Sequence, residues 1–178
     1  LITGGGAVGL SAVMGAKIQR CATIIVVEPH EGRRKLALEF GATNVIDPKA
    51  APDLVAAVRT IKPIGVDFAF DTTGIPEVQQ AVMKALAPKG VFGIVGITPP
   101  GTPLPGDVNQ AMTFGHSVKG IIEGDSDPDE FLPELMEHYR AGRLPFDRMV
   151  KTFPFAKINE AIAAQHHGDC VKVVLLMN

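Results

Sequence analysis

The sequence predicts an α/β fold: a doubly wound parallel sheet with helices on both faces. Three observations point to it. Short β-branched, apolar runs recur at Thr23–Glu28, Thr43–Ile46, Val66–Phe70 and Val91–Val95. Helical patterns separate these runs, and a glycine cluster lies between the first apolar residues and the first helical pattern. Near-continuous apolar strands belong to parallel sheets covered on both faces. Strand–helix alternation at this pitch gives βαβ units with right-handed crossovers. The strand order expected of such a sheet is 3-2-1-4-5-6.

Each element has its own signal. Ala7 to Gln19 places Leu10, Val13, Met14 and Ile18 at helical spacing. Glu31 to Phe40 is a second helix, closed by Gly41 as its C′ glycine. Pro52 and Pro76 suit the first turns of two further helices. Thr98 to Asp107 holds four prolines and two glycines and reads as a loop. It is either a mobile cover on a ligand cleft or a surface connection; its place after a strand's carboxyl end favours the cover. Ser117 to Ile122 reads as a strand. Asp127-Pro128-Asp129-Glu130 has the form of an N-cap, a first-turn proline and an acidic third position. That helix runs to about Arg140 and stops near Gly142. A strand at Met149–Phe153, a helix at Ala156–His167, a turn at Gly168-Asp169 and a strand at Val171–Met177 complete the chain.

Composition excludes several classes. The 178 residues are long enough for a full core, and 46% hydrophobic with 20% charged residues is ordinary for a globular protein. The net charge of −2 shows no basic excess for nucleic acid or an anionic membrane. No apolar run reaches the length of about 18–20 residues that spans a bilayer. Cys21 and Cys170 form no CxxC and no disulfide framework, which fits a reducing cytoplasm. Only Leu1, Ile2 and Thr3 precede the glycine cluster, so the sequence is read as beginning inside a strand and as a piece of a longer protein.

Gly4-Gly5-Gly6-Ala7-Val8-Gly9 satisfies G-x-G-x-x-G. The first glycine permits the tight turn, the second lets a pyrophosphate approach the backbone, and the third lets the helix pack on the sheet. Amides at Ala7 and Val8 would face the phosphates at the positive end of the helix dipole. Glu28 ends the next strand, nineteen residues after Gly9, the spacing of a ribose-binding acid. Together these read as the dinucleotide site of a Rossmann-type domain. The Glu28 carboxylate can accept both adenosine-ribose hydroxyls and would repel a 2′-phosphate, which favours NAD over NADP. Arg33 and Arg34 argue the other way; for Arg34 an exposed helix face is the preferred reading. Asp71-Thr72-Thr73-Gly74 follows the fourth strand, so Thr72 and Thr73 line the cleft at the switch point. Plain turn chemistry at those residues is an equal and compatible reading.

Other candidates are weaker. His166, His167 and Cys170 lack zinc-site spacing, and two histidines at a helix C-terminus suit its dipole. Asp125, Asp127 and Asp129 begin like a calcium loop, but Pro128 interrupts it and Glu130 stands where the glycine belongs. Cys21 reads as a buried core thiol. Ser11 and Ser117 have no discernible triad partners. Tyr139 is not followed by a lysine four residues on, which weakens a short-chain dehydrogenase. Phe131, Leu132, Leu135 and Met136 read as helix core.

These residues resemble the zinc-dependent medium-chain alcohol dehydrogenases. The likeness is carried by Gly4 to Leu10, Glu28, Leu38 to Ile46, Asp71 to Gly74, Lys119 to Gly124 and Phe155 to Ala161. Gly120 to Pro128, with Leu144 to Asp147, looks closest to the aryl (benzyl) alcohol dehydrogenases. The resemblance spans almost the whole chain and only the later half of a full-length member. It implies that Ala7 and Val8 meet the pyrophosphate, with the Val8 side chain on the nicotinamide. It implies that Glu28 holds the adenosine ribose, with Arg33 beside it. Val95, Ile97 and Ile122 would serve the nicotinamide carboxamide, Ile97 and Ile122 also bordering the substrate pocket. Lys172 would be the basic residue near the pyrophosphate. The family's zinc ligands lie in the earlier half, so zinc is expected only there. Residues 1–124 are read as the dinucleotide-binding domain, and 125–178 as a segment returning to a catalytic domain outside this sequence.

The resemblance further implies hydride transfer from an aromatic primary alcohol to NAD, zinc acting as a Lewis acid. The piece alone would be inactive. It also implies a homodimer through an edge strand at Ser117–Ile122. Two rivals are a non-catalytic NAD-sensing module and an S-adenosylmethionine-dependent methyltransferase domain, both compatible with a glycine-rich turn followed by an acid.

Overall fold

A computed structural model describes residues 1–168 and 170–177. The elements in chain order are β1 (Ile2–Thr3), α1 (Ala7–Ile18), β2 (Ile25–Val27), α2 (Glu31–Phe40), β3 (Asn44–Ile46), α3 (Leu54–Ile61), β4 (Val66–Asp71) and α4 (Pro76–Ala85). Then follow β5 (Leu86–Ile94), α5 (Val108–Phe114), β6 (Ser117–Gly120), α6 (Pro128–Arg140), β7 (Val150–Pro154), α7 (Ile158–His167) and β8 (Lys172–Leu176). β1 to β6 form one parallel sheet in the order β3-β2-β1-β4-β5-β6. The expected doubly wound α/β order is therefore the observed one, with β1 and β4 flanking the point where the winding reverses.

Side-chain alternation assigns the two faces. Ile25 and Val27 of β2 pack with Val58 of α3 and Val82 and Met83 of α4. Val26, between them, packs with Leu10, Val13 and Met14 of α1 and Phe40 of α2. Residues 125–178 join this second core through Leu144, Met149 and Val171. They also carry their own parallel pair, β7 with β8, connected by α7. Arg148 reaches back across the Phe40 ring and pairs with Glu39.

Several sequence expectations need correction. Pro52 is not in the first turn of α3: Asp53 is the N-cap, accepting from the Ala56 N–H, and Pro52 lies one residue outside. Pro76 does occupy the first turn of α4. β5 begins at Leu86 rather than Val91, and α5 follows the proline-rich loop. β6 ends at Gly120, so Ile121 and Ile122 lie beyond it. Asp127 caps α6 through the Asp129 N–H, with Pro128 in the first turn. Phe131, Leu132 and Met136 are not core, being 40%, 58% and 53% exposed; Leu135 alone of the four packs against the core. Cys21 is exposed, while Cys170 is buried, because the turn after α1 carries Cys21 outward before β2 begins. His166 and His167 sit in the last turn of α7, closed by Gly168 in the left-handed region. The expected partner in that turn, Asp169, lies outside the described residues.

The largest departure concerns coverage. The sheet is not covered on both faces throughout. α1 and α2 cover β1 to β3 on one side, and that side of β4 to β6 stays open. It forms a concavity of 550 Å³ lined by Ile2, Ala16, Phe68, Phe70, Val91 and Ile121. Phe68 is 70% exposed there. The reason lies in the winding: units before the switch point place helices on one face, and units after it on the other.

Candidate functional site

The site begins where β1 ends. Gly4 has φ +93, and its α-hydrogen faces the Thr72 side chain, where a Cβ would collide with the hydroxyl. A Cβ on Gly9 would collide with the Gly4 carbonyl. Each glycine therefore allows a close approach that any side chain would block. Gly6 caps α1 with extended backbone and no side-chain hydrogen bond. The first-turn amides of α1 consequently lack intrahelical acceptors. A Cβ at Gly6 would meet nothing within 4 Å, so open space lies before the helix end. Val8 is 52% exposed on the same turn. Gly4, Gly6, Ala7, Val8 and Gly9 are thus brought together as the sequence implies, and the arrangement fits a diphosphate.

Glu28 is placed less simply. It is buried, and its Oε2 accepts the Gly5 N–H at 2.6 Å. Its Oε1 accepts the His30 N–H at 2.8 Å and lies 2.7 Å from His30 Nδ1. The expectation that both oxygens stand ready for ribose hydroxyls is corrected. A carboxylate offers about four lone-pair sites. Oε1 already serves two His30 atoms, so one hydroxyl can be taken at Oε2 while His30 stays in place. Arg34 is corrected too. Its side chain is only 16% exposed, donates to the Glu28 carbonyl at 2.8 Å and pairs with Asp47 at 3.0 Å. It ties α2 to the ends of β2 and β3. Arg33 points elsewhere, donating to the Gln165 carbonyl at 3.2 Å. With His30, Ile162, Gln165 and His166 it lines a cavity of 490 Å³ beside Glu28.

The β4 turn lies across the cleft. Thr72 donates its hydroxyl to the Thr3 carbonyl at 2.9 Å. The Thr73 hydroxyl donates to Asp71 Oδ1 at 2.7 Å and accepts the Ile75 N–H at 3.2 Å. Turn chemistry thus occupies both hydroxyls, and they flank the glycine turn at the same time. Val95 follows β5, its N–H donating to the Asp71 carbonyl at 3.0 Å. Ile97 and Ile122 are 96% and 77% exposed. Lys172 is exposed at the start of β8, in the two-stranded sheet rather than on the glycine turn.

Sequence reasoning gave His30 no role and saw Asp71 only as turn chemistry. Asp71 is fully buried, and burial alone would raise its pKa. Hydrogen bonds from Thr3, Gln79 and Thr73 outweigh that and hold it below the ordinary value. Glu28 gave no sign of its attachment to His30, because a residue two positions away carries no periodic signal. Among the described residues no group of three His, Cys, Asp or Glu side chains could hold a metal ion. No helix among them is long and apolar enough to cross a membrane.

A parallel sheet in this order, with an open helix N-terminus after β1 and an acid after β2, is the arrangement of a Rossmann-type domain. Residues 7–139 match the family model described as zinc-binding dehydrogenase. The chain is 40% identical, over 98% of its length, to geraniol dehydrogenase of Castellaniella defragrans, spanning 47% of that protein. It superposes on the crystal structure of benzyl alcohol dehydrogenase from Acinetobacter calcoaceticus with a TM-score of 0.92 at 39% identity. That match covers 98% of this chain and 48% of the other. An alcohol dehydrogenase zinc-binding domain protein from Burkholderia ambifaria gives 0.93 at 42% identity, covering 99% and 48%. The chain belongs to the zinc-binding dehydrogenase family, and it spans about half the length of the relatives it matches.

The depressed Asp71 pKa has a direct consequence. A carboxyl whose folded pKa lies below its unfolded value lends stability above the unfolded value, and that stability is lost as pH falls through the folded one. Thermal unfolding should therefore show a falling midpoint as pH drops below the ordinary Asp value of 3.8. Asp71→Asn should flatten that acid limb. An equally steep limb in the variant would assign the acid sensitivity to other carboxylates.

Proposed function

We propose that the chain is the NAD-binding part of an alcohol dehydrogenase that transfers hydride from a primary alcohol to NAD. The carrying observation is the uncapped start of α1 on a turn where Gly4, Gly5 and Gly9 leave no room for side chains and Gly6 opens onto free space. In this reading Gly4, Gly6, Ala7, Val8 and Gly9 hold the diphosphate. The adenosine ribose donates to Oε2 of Glu28, and the adenine end lies toward His30 and Arg33. Thr72, Thr73 and Val95 border the nicotinamide, and Lys172 serves the cofactor from the C-terminal segment. Ile97 and Ile122 supply an apolar wall to the substrate. Bound NAD would supply the hydride acceptor. Zinc, bound outside this chain in the parent enzyme, would lower the alcohol's pKa.

Residues 1–124 form the cofactor domain in this proposal, and 125–178 complete a catalytic domain supplied by the rest of the parent. The chain alone then binds NAD without turnover. The aromatic substrate is supported by the likeness to benzyl alcohol dehydrogenase; the geraniol dehydrogenase relative makes geraniol the second alcohol to try. Two free cysteines fit a cytoplasmic setting.

NAD is preferred over NADP because a 2′-phosphate would meet the Glu28 carboxylate. Calorimetric titration should give NAD at least about ten-fold tighter binding than NADP. Glu28→Ala should collapse that preference. Equal affinity of the unsubstituted chain for both cofactors would overturn the assignment of Glu28. The free edge at β6 is proposed to pair with the same strand of a second copy. Light scattering should report a dimer, and a monomer at high concentration would reject the pairing.

A further inference from the structure

Asp71 is the one fully buried carboxylate among the described residues, and no cation accompanies it. Its two oxygens instead collect five neutral donors. Oδ1 accepts from the Thr3 hydroxyl at 2.6 Å, the Thr73 hydroxyl at 2.7 Å and the Thr73 N–H at 3.1 Å. Oδ2 accepts from the Gly74 N–H and from Gln79 Nε2, both at 3.0 Å. Its carbonyl accepts the Val95 and Gly96 N–H groups at 3.0 and 3.1 Å. One residue therefore joins the end of β1, the β4 turn, α4 and the segment after β5.

These contacts fix more than the turn itself. Gly74 has φ +65, and a Cβ there would collide with the Ile97 carbonyl; one on Gly96 would collide with the Gly74 nitrogen. The position of Gly74 thus dictates where Gly96 and Ile97 can lie. Gly74 is held in turn by Asp71 Oδ2. All five partners donate, so only an acceptor without protons satisfies them together. Hydrogen bonds to an ionised acceptor are roughly twice as strong as neutral ones. An asparagine would place an N–H against at least one donor.

We propose that Asp71 is a positioning residue: it sets the nicotinamide side of the cleft by fixing Thr73, Gly74 and, through Gly74, the Val95–Ile97 segment. It touches neither cofactor nor substrate. The inference rests on the reading that this cleft takes NAD, and adds which buried group shapes one end of it. Its effect falls chiefly on that end, because Glu28, His30 and Arg33 make no hydrogen bond to Asp71, although Thr3, which donates to Asp71, pairs with Val27 of β2.

Saturation-transfer NMR on the full chain with NAD separates the two ends of the ligand. In the unsubstituted chain both nicotinamide and adenine protons should receive saturation. In Asp71→Asn the nicotinamide signal should fall about three-fold relative to adenine. Gln79→Met removes one donor from Oδ2 without approaching the cleft; it should shift the ratio in the same direction by less. It decides the matter if Asp71→Asn does not fold. A merely structural role would lower both signals together, so an unchanged ratio in a folded variant overturns the proposal. No transfer to either end of NAD in the unsubstituted chain would remove the cofactor reading and this inference with it.

Discussion

The close approach of the Gly9 α-carbon to the Gly4 carbonyl is the constraint on which the rest of this structure depends. It brings α1 back onto β1 immediately after a three-residue turn, with the helix's unpaired amides at the carboxyl ends of the strands. The Gly5 N–H bond to Glu28 then fastens the turn to β2. A hydrogen bond to a charged group contributes about 1.5–3 kcal/mol. That is enough to bias a short loop, though not to fold a domain. The two apolar layers stabilise the fold, and the close approach fixes how α1 enters it. In the proposed reading the carboxylate that binds the turn also takes the sugar, which would couple cofactor binding to turn geometry through one side chain.

Much of this was legible in the sequence because it depends on local chemistry. Glycine spacing, an acid at a strand end, Gly41 after α2 and Asp127 with Pro128 before α6 each act within a few residues. The parallel order followed from the alternation of strands and helices. What the sequence hid depends on distant partners. Arg34 looks like a surface residue until Asp47 and the Glu28 carbonyl are placed beside it. Cys21 looks like core until the turn after α1 carries it outward. α5 hides because a proline-rich loop precedes it and its residues are not buried. Phe68 reads as core from its apolar run, yet it lies on the part of the α1–α2 face that no described helix covers.

Winding outward from one switch point sets α1 and α2 over β1 to β3 on one face and leaves β4 to β6 open on that same face. On the side of α1 and α2 the C-terminal residues contribute Leu144, Met149 and Val171. Over β4 to β6 the same side holds the concavity. The proposed cofactor site lies at the strand ends rather than on either face. The chain spans about half the length of the relatives it matches, and the glycine turn, Glu28 and Asp71 all lie within it.

The central claim is that a diphosphate meets the main-chain amides at the start of α1. Amide-resolved NMR of the labelled chain, titrated with NAD, tests it most directly. The account predicts the largest shifts at Gly6, Ala7 and Val8, with smaller ones at Gly5 and Thr73. Shifts centred on Phe68, Phe70 and Ile121, with the glycine turn unmoved, would contradict it.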